Sequence, residues 1–526
     1  MCASRLSFAT LFAFLLTIIL LACQSESATQ SDEAPMTQGE KLARVHCSSC
    51  HLFPEPTSLD RKTWERFVLL RMAAFLGVYH DGVQYYDSLL PQWKEPGLGG
   101  ERVVAAGIYP KQPKLSREDW ESIRDYYLNN APAKLAPANT YPINAGTNQF
   151  KTHRLLTDTE YAAYVQAIEI DTARGELLVS LFQQDVVRID TQSNILARLG
   201  SNNVVTDIDL SEERLTLIAM GSRFGLDTPT GNVQTGRSLQ EIAKRKTSLQ
   251  LDSLQRPVDA AWADLNGDGL EDLVLAAFGN YLGELACYEQ QTDGSFEKQV
   301  LWADDGCVKI EIADFNADQR PDIVALMGNG DEGIDLYLNE GGGKFQRKRL
   351  LRFPPTHGST YFELVDFDQD GRQDILYVNG DNGDYPPILK YHHGIRLFRQ
   401  GDNLAFREAF YLPQNGAYRA QARDFDLDGD LDIFSVAYHP DFGNPAGESL
   451  VYWEQKATDV FVASTISEVG DGRWMVFESG DLDRDGDQDV VVGAFNARSQ
   501  ELPDGLSKYW ETQNIPILWL ENLSKN

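Results

Sequence analysis

Short apolar runs recur along the C-terminal part of the chain, each directly behind an acidic nonapeptide. The runs LVLAAF, IVAL, ILYV, IFSV and VVVGAF begin at Leu273, Ile323, Ile375, Ile433 and Val490. Apolar, β-branched runs of this length, bounded by turn residues, predict buried strands. The nonapeptides before them read DLNGDGLED, DFNADQRPD, DFDQDGRQD, DFDLDGDLD and DLDRDGDQD, and their first positions are 50, 52, 58 and 57 residues apart. Repetition at that period marks a stack of equivalent units. Around Asp314 the hydrophobic alternation predicts strands at 308–313, 322–327, 334–339 and, after the Gly341-Gly342-Gly343 turn, 344–351. That is one four-stranded antiparallel blade. Two faded copies, at 171–180 and 207–220, keep the strands and lose most of the acids, which makes seven blades, with six or eight as alternatives. The last unit, 473–526, lacks a fourth strand, whereas residues 149–156 have the pattern of 344–351 without a blade of their own. The N-terminal strand is therefore expected to complete the last blade and close the ring, removing an open sheet edge.

Ahead of the repeats the periodicity changes from two to that of a helix. Trp64, Phe67, Leu70 and Ala74 fall on one helical face, and Ser116 caps a run with Trp120, Ile123 and Tyr127 on its face. The predicted fold is a small all-α domain at 38–131, a linker at 132–148 rich in Ala, Pro and Asn, and an all-β seven-bladed β-propeller over 149–526. Residues 1–22 have a basic start and an apolar core, the form of a secretory signal, and 23–37 form a polar tether.

The nonapeptides carry specific chemistry. Oxygen side chains at positions 1, 3, 5 and 9, the backbone carbonyl at 7 and a sharp turn at 6 let a loop wrap a hard cation such as Ca²⁺, which takes six to eight oxygens; acidic turns with no ion are the alternative. The candidate calcium ligands are Asp264, Asn266, Asp268 and Asp272; Asp314, Asn316, Asp318 and Asp322; Asp366, Asp368, Asp370 and Asp374; Asp424, Asp426, Asp428 and Asp432; and Asp481, Asp483, Asp485 and Asp489. A strand follows each loop and position 12 is not Glu, so the helix–loop–helix calcium motif is excluded. The second copy is the weakest, with Gln319 at position 6 and Pro321 at position 8. The acids also explain much of the composition: 47 Lys and Arg against 78 Asp and Glu give −31 over 526 residues. No basic stripe suggests nucleic acid.

Val45-His46-Cys47-Ser48-Ser49-Cys50-His51 contains C-x-x-C-H, the attachment motif of haem c. Cys47 and Cys50 are the covalent anchors and His51 an axial ligand; a redox dithiol or zinc site is the alternative, although no second Cys pair completes a zinc shell. For the sixth position Met72 is favoured over His80 or an open site. Leu20-Leu21-Ala22-Cys23 resembles a bacterial lipobox, which implies acylation of Cys23, membrane attachment through lipid, and a place in the cell envelope, at the outer membrane facing the periplasm or cell surface, with a cleaved signal or an uncleaved anchor as alternatives. Cys287 and Cys307 are read as either a disulfide or two buried thiols.

The repeats resemble the integrin-type FG-GAP (VCBS) family, whose calcium loop joins the first and second strands of each blade. The whole arrangement resembles a group of bacterial lipoproteins with an N-terminal cytochrome c-like domain and a C-terminal FG-GAP propeller. The residues carrying that likeness are HCSSCHLFPEP, RMAAFLG, DSLQRPVDAAWADLNGDGLEDLV, MGNGDEGIDLYLNEGGGKF, RFPPTHGSTYFELVDFDQDGRQDILY and ARDFDLDGDLDI. The likeness implies an architecture and no reaction.

First strands of a propeller line its channel, with alternate residues pointing inward. Counting back from the loops places Lys309, Glu311, Tyr361, Glu363 and Arg419 there. The connections on the opposite face carry His357, Lys390, His392, Arg473 and Trp474. Together they form a candidate polar site for a sugar or anionic ligand; a solvated channel with surface His is the alternative. Three functions are consistent with this reading. The first is an exported c-type haem lipoprotein passing single electrons to a redox partner protein, with the propeller binding a ligand or partner. The second is a periplasmic redox enzyme that oxidises a sugar-like substrate, although the tryptophan repeats of quinoprotein dehydrogenases are absent. The third is a calcium-dependent carbohydrate-binding, adhesion or polysaccharide-cleaving module.

Overall fold

The computed structural model describes residues 35–79 and 97–525, apart from 158–160, 184, 202, 223–225, 246–248, 384–387, 444–446 and 498–501. The expected signal, Cys23 and His80 lie outside the described residues. Among those residues no helix is long and apolar enough to cross a membrane.

Seven sheets form the ring. In blade 4, for example, the strands are Cys307–Ala313, Asp322–Met327, Gly333–Gly341 and Lys344–Arg352, paired antiparallel in sequence order. The apolar runs are the second strands, and all six residues of Asp322–Met327, Asp374–Asn379 and Asp489–Ala494 are buried. Burial on both faces explains the continuous apolar runs: each second strand is covered by the two neighbouring blades. Blades 1 and 2, which begin at Val165–Asp171 and Val204–Leu210, keep this plan without the acidic loop.

Ring closure follows the expected route. Phe150–Leu155 pairs antiparallel with Ile517–Asn522 as the outer strand of blade 7, from Phe150 opposite Asn522 to Leu155 opposite Ile517. The apolar pattern of the last unit predicts its third strand at 515–520; the strand runs two residues later, at Ile517–Asn522, directly behind Pro516.

The linker is more ordered than its composition suggests. Ile143–Asn144 adds a fifth strand to blade 6, parallel to Val460–Ser464. Tyr141 donates from its hydroxyl to the Phe461 carbonyl at 2.6 Å and meets Trp453 edge-on at 5.1 Å.

The N-terminal region contains helices α1 (Gln38–Cys47), α2 (Leu69–Phe75), α3 (Leu98–Ala105) and α4 (Arg117–Asn130). Helix α1 crosses α4 so closely that a Cβ at Gly39 would lie 2.2 Å from the Ser122 carbonyl oxygen. Trp64, Leu69, Trp120, Ile123 and Tyr127 form the core beneath this crossing. The helices rest on the propeller face opposite the acidic loops. Ile388 of blade 5 joins the helical core, and Arg102 donates to Gln255 at 2.6 Å.

Candidate functional site

The five acidic loops share one backbone. Position 4 has positive φ in every copy: Gly267, Ala317, Gln369, Leu427 and Arg484. Position 6 is also left-handed throughout, including Gln319 at φ 69° where the other copies have Gly. A non-Gly residue there costs about 1–2 kcal/mol. The fold imposes this turn even where the sequence departs from it.

Hydrogen bonds explain the constraint. In the first three loops the position-1 carboxylate accepts from backbone N–H groups at positions 5 and 6, as at Asp366, which takes Asp370 and Gly371 at 2.9 Å each; Asp424 takes the Gly429 N–H at 3.2 Å. Positions 3 and 5 turn their oxygens inward. The side-chain oxygens of Asp366, Asp368 and Asp370, of Asp424, Asp426 and Asp428, and of Asp481, Asp483 and Asp485 lie within 4.8 Å of one another in each set.

Position 9 has a different task. Asp272, Asp322, Asp374, Asp432 and Asp489 each open the second strand and are at most 1% exposed. Each accepts from the third strand's backbone: Gln290 at 2.8 Å, Asn339 at 2.7 Å, Gln400 at 2.9 Å, Gln455 at 2.8 Å and Asn522 at 2.8 Å. Asp272, Asp322 and Asp489 also take the position-2 N–H, each at 3.0 Å. The ninth aspartate thus staples loop to blade, whatever else it binds.

The donor sets fit a divalent cation. Buried oxygens of Asp424, Asp430, Asp481 and Asp487 have no hydrogen-bond donor. Burial and neighbouring carboxylates push Asp432 and Asp489 up to about 7. Clustered carboxylates with orphaned oxygens are relieved by a cation. Asp430 and Asp487 occupy position 7, where the sequence reading assigned only a carbonyl, so they add side-chain donors to the last two loops.

In the channel, Lys309, Glu311, Tyr361, Glu363 and Arg419 come together. Glu311, Glu363 and Gln421 each reach into the next blade, accepting from the N–H of Leu364 at 2.9 Å, Ala422 at 2.8 Å and Ser479 at 3.0 Å. Inner strands have one unpaired edge, and these side chains satisfy it. Arg419 pairs with Glu478 at 2.6 Å and Arg423 with Glu363 at 2.6 Å. The Lys309 ammonium and Arg419 guanidinium stand 5.0 and 4.9 Å from the Tyr361 ring. Sequence reasoning missed Glu169 and Asp207, because it counted back from acidic loops that blades 1 and 2 lack. Burial, reinforced by Glu478, raises Glu169 to about 9; burial and Asp259 raise Asp207.

The other five residues occupy separate, well-packed places. His357 and His392 stack at 4.8 Å, and burial drives them down to about 2 and 3, so both are neutral. Lys390 is buried and donates to the Asp381 carbonyl at 3.3 Å. Arg473 lies 3.5 Å from the Tyr438 ring and donates to the Tyr438 and Ala497 carbonyls. Trp474 is fully buried and donates to the Val469 carbonyl at 2.9 Å.

At the helical region, Cys47 ends α1 and Cys50 follows in the next turn, both as free thiols. Burial pushes the Cys47 thiol up to about 11, opposite to the depressed value of a reactive dithiol. The His51 ring donates from Nδ1 to the Leu52 carbonyl at 2.9 Å. That bond leaves Nε2 with its lone pair, the arrangement of a metal-ligating His. Cys47 and Met72 pack against the same apolar cluster. The donor types present fit haem c: two thiols, an oriented imidazole and, beside Cys47 on the helical core, a thioether. Cys287 and Cys307 are also free thiols, buried between blades 3 and 4, rather than a disulfide.

A family model described as FG-GAP-like repeat matches residues 264–325, 314–377 and 424–492. The chain carries FG-GAP repeats. Among solved structures it is similar to that titled "Structure of the Neurospora crassa Pan2 WD40 domain", with 8% identity, a TM-score of 0.44, and coverage of 72% of this chain and 96% of that one. No curated protein matches the chain. The FG-GAP matches span all five acidic loops completely. An FG-GAP propeller suggests a module that binds a ligand or partner protein.

Proposed function

We propose that this protein is an exported c-type haem lipoprotein that passes single electrons, and that its FG-GAP propeller, stiffened by Ca²⁺ in the acidic loops, binds a ligand or redox partner. The observation that supports the haem reading most is the Cys47–Cys50–His51 turn, with Nδ1 of His51 tied to the Leu52 carbonyl and Nε2 left available. Cys47 and Cys50 would hold the group covalently, and His51 and Met72 axially. Haem c, when bound, supplies an iron that alternates between ferrous and ferric states. Electron transfer is favoured over substrate oxidation in the channel, because Glu311, Glu363 and Gln421 are occupied tying blades together.

The test is expression in cells that mature c-type cytochromes. The purified protein is expected to show a Soret band that shifts reversibly with dithionite and ferricyanide, and the Cys47→Ala/Cys50→Ala variant is expected to be colourless. A colourless parent protein rules the reading out. Acylation at Cys23 predicts that the protein enters the detergent phase on partition and that Cys23→Ser stays in the aqueous phase. Equal partition of the two contradicts the lipid anchor.

A further inference from the structure

We infer that the propeller itself positions the helix carrying Met72, so that axial ligation depends on a contact between the two parts of the chain. This rests on the haem reading above.

Helix α2 continues without a break from a helical turn at Arg61–Thr63 and a π-helical stretch at Trp64–Val68. Trp64, Val68 and Leu69 anchor the N-terminal half of this stretch in the helical core, whereas its C-terminal end, which carries Met72, is backed by the propeller. One of its faces carries Met72 into the cluster that contains Cys47. Arg71 and Phe75, one turn apart and on a shared face, meet the propeller instead. Arg71 donates to the Tyr281 hydroxyl at 3.3 Å, and its guanidinium lies 5.6 Å from the Tyr281 ring. Phe75 meets the same ring edge-on at 6.0 Å, and Tyr109 completes the group, stacked on Phe75 at 5.3 Å.

Tyr281 is held firmly. It sits in the turn between the second and third strands of blade 3, flanked by Gly279 and Gly283. A Cβ at either would fall 2.3 Å from a backbone carbonyl oxygen. One oxygen of Asp227, itself 0% exposed, accepts the N–H groups of Asn280, Tyr281 and Leu282 at 2.9, 2.9 and 3.0 Å. The ring therefore projects from a rigid turn into the side of α2. Sequence reasoning saw Met72 and could not see this contact, which joins residues 210 apart.

A thioether on an unsupported helix leaves the sixth position open to other ligands; a helix clamped from behind keeps it closed. Carbon monoxide is the probe, added to the reduced full-length haem protein. The parent protein is expected to take up none. Tyr281→Ala is expected to bind one per haem and to lose the near-infrared methionine–iron band, while Tyr281→Phe, which keeps the ring, behaves as the parent. Should Tyr281→Ala fail to accumulate, Phe75→Ala removes the same contact from the helix side and carries the same expectation. If the haem is attached and either alanine variant excludes carbon monoxide as the parent does, the positioning role is wrong and the haem reading stands. If the parent already binds carbon monoxide, Met72 is not held in place and the inference fails. Absence of covalent haem in the parent overturns both.

Discussion

Chelation of divalent ions lowers the melting temperature of the propeller by about 10 °C or more. An ion that binds only the folded state contributes about 2.7 kcal/mol at a hundredfold excess over its Kd. Five loops give a ceiling of about 13 kcal/mol, and each kcal/mol moves a large domain by roughly 1–3 °C. The effect is expected to recover with Ca²⁺ and far less with Mg²⁺, which dehydrates reluctantly and demands stricter geometry. It also has a pH signature. Without the ion, Asp489 and Asp432 sit near 7 in the folded state, against about 4 when unfolded. The folded protein then binds more protons between those values, so its stability falls as pH rises from about 4 to 7. In chelator the protein should melt higher at pH 5 than at pH 8, and Ca²⁺ should flatten that difference. A thermal scan showing no change on chelation contradicts ion binding in the loops.

The second large effect belongs to the ninth position. Asp489→Ala is expected to destabilise the ring by about 4 kcal/mol with or without Ca²⁺. The substitution strands the N–H groups of Leu482 and Asn522, now held at 3.0 and 2.8 Å. A buried donor left without an acceptor costs about 1–3 kcal/mol. Asn522 also pairs with Phe150, so the loss falls on the blade that closes the ring. Asp485→Ala, at exposed position 5 of the same loop, is the control. Its cost is expected to be larger in Ca²⁺ than in chelator, where what is lost includes the Asp487 N–H that it accepts at 3.2 Å on an exposed loop. Denaturant unfolding in both conditions separates the two roles. Equal costs for the two variants in chelator would remove the distinction.

Much of the ring was legible in the chain because two local signals coincide in five of the seven units. The acidic nonapeptide marks the turn between strands one and two, and the apolar run behind it marks a strand buried on both faces. Closure was legible because residues 149–156 copy the pattern of 344–351. What escaped detection depends on contacts between units. Glu311 and Glu363 looked like ligand-binding residues because charge in a channel suggests a ligand; their partners are backbone N–H groups 53 and 59 residues away. The strand Ile143–Asn144 is too short to show a period. The ninth aspartate and its neighbours in the loop are the same residue type, so composition could not separate a blade staple from a cation donor.

The most direct test of the account is the absorption spectrum of the protein unfolded in alkaline pyridine after extraction with acidified acetone, which removes haem that is not covalently bound. One haem c per chain, lost in Cys47→Ala/Cys50→Ala, is the predicted result. A chain that emerges without haem and with both thiols free to react would contradict it.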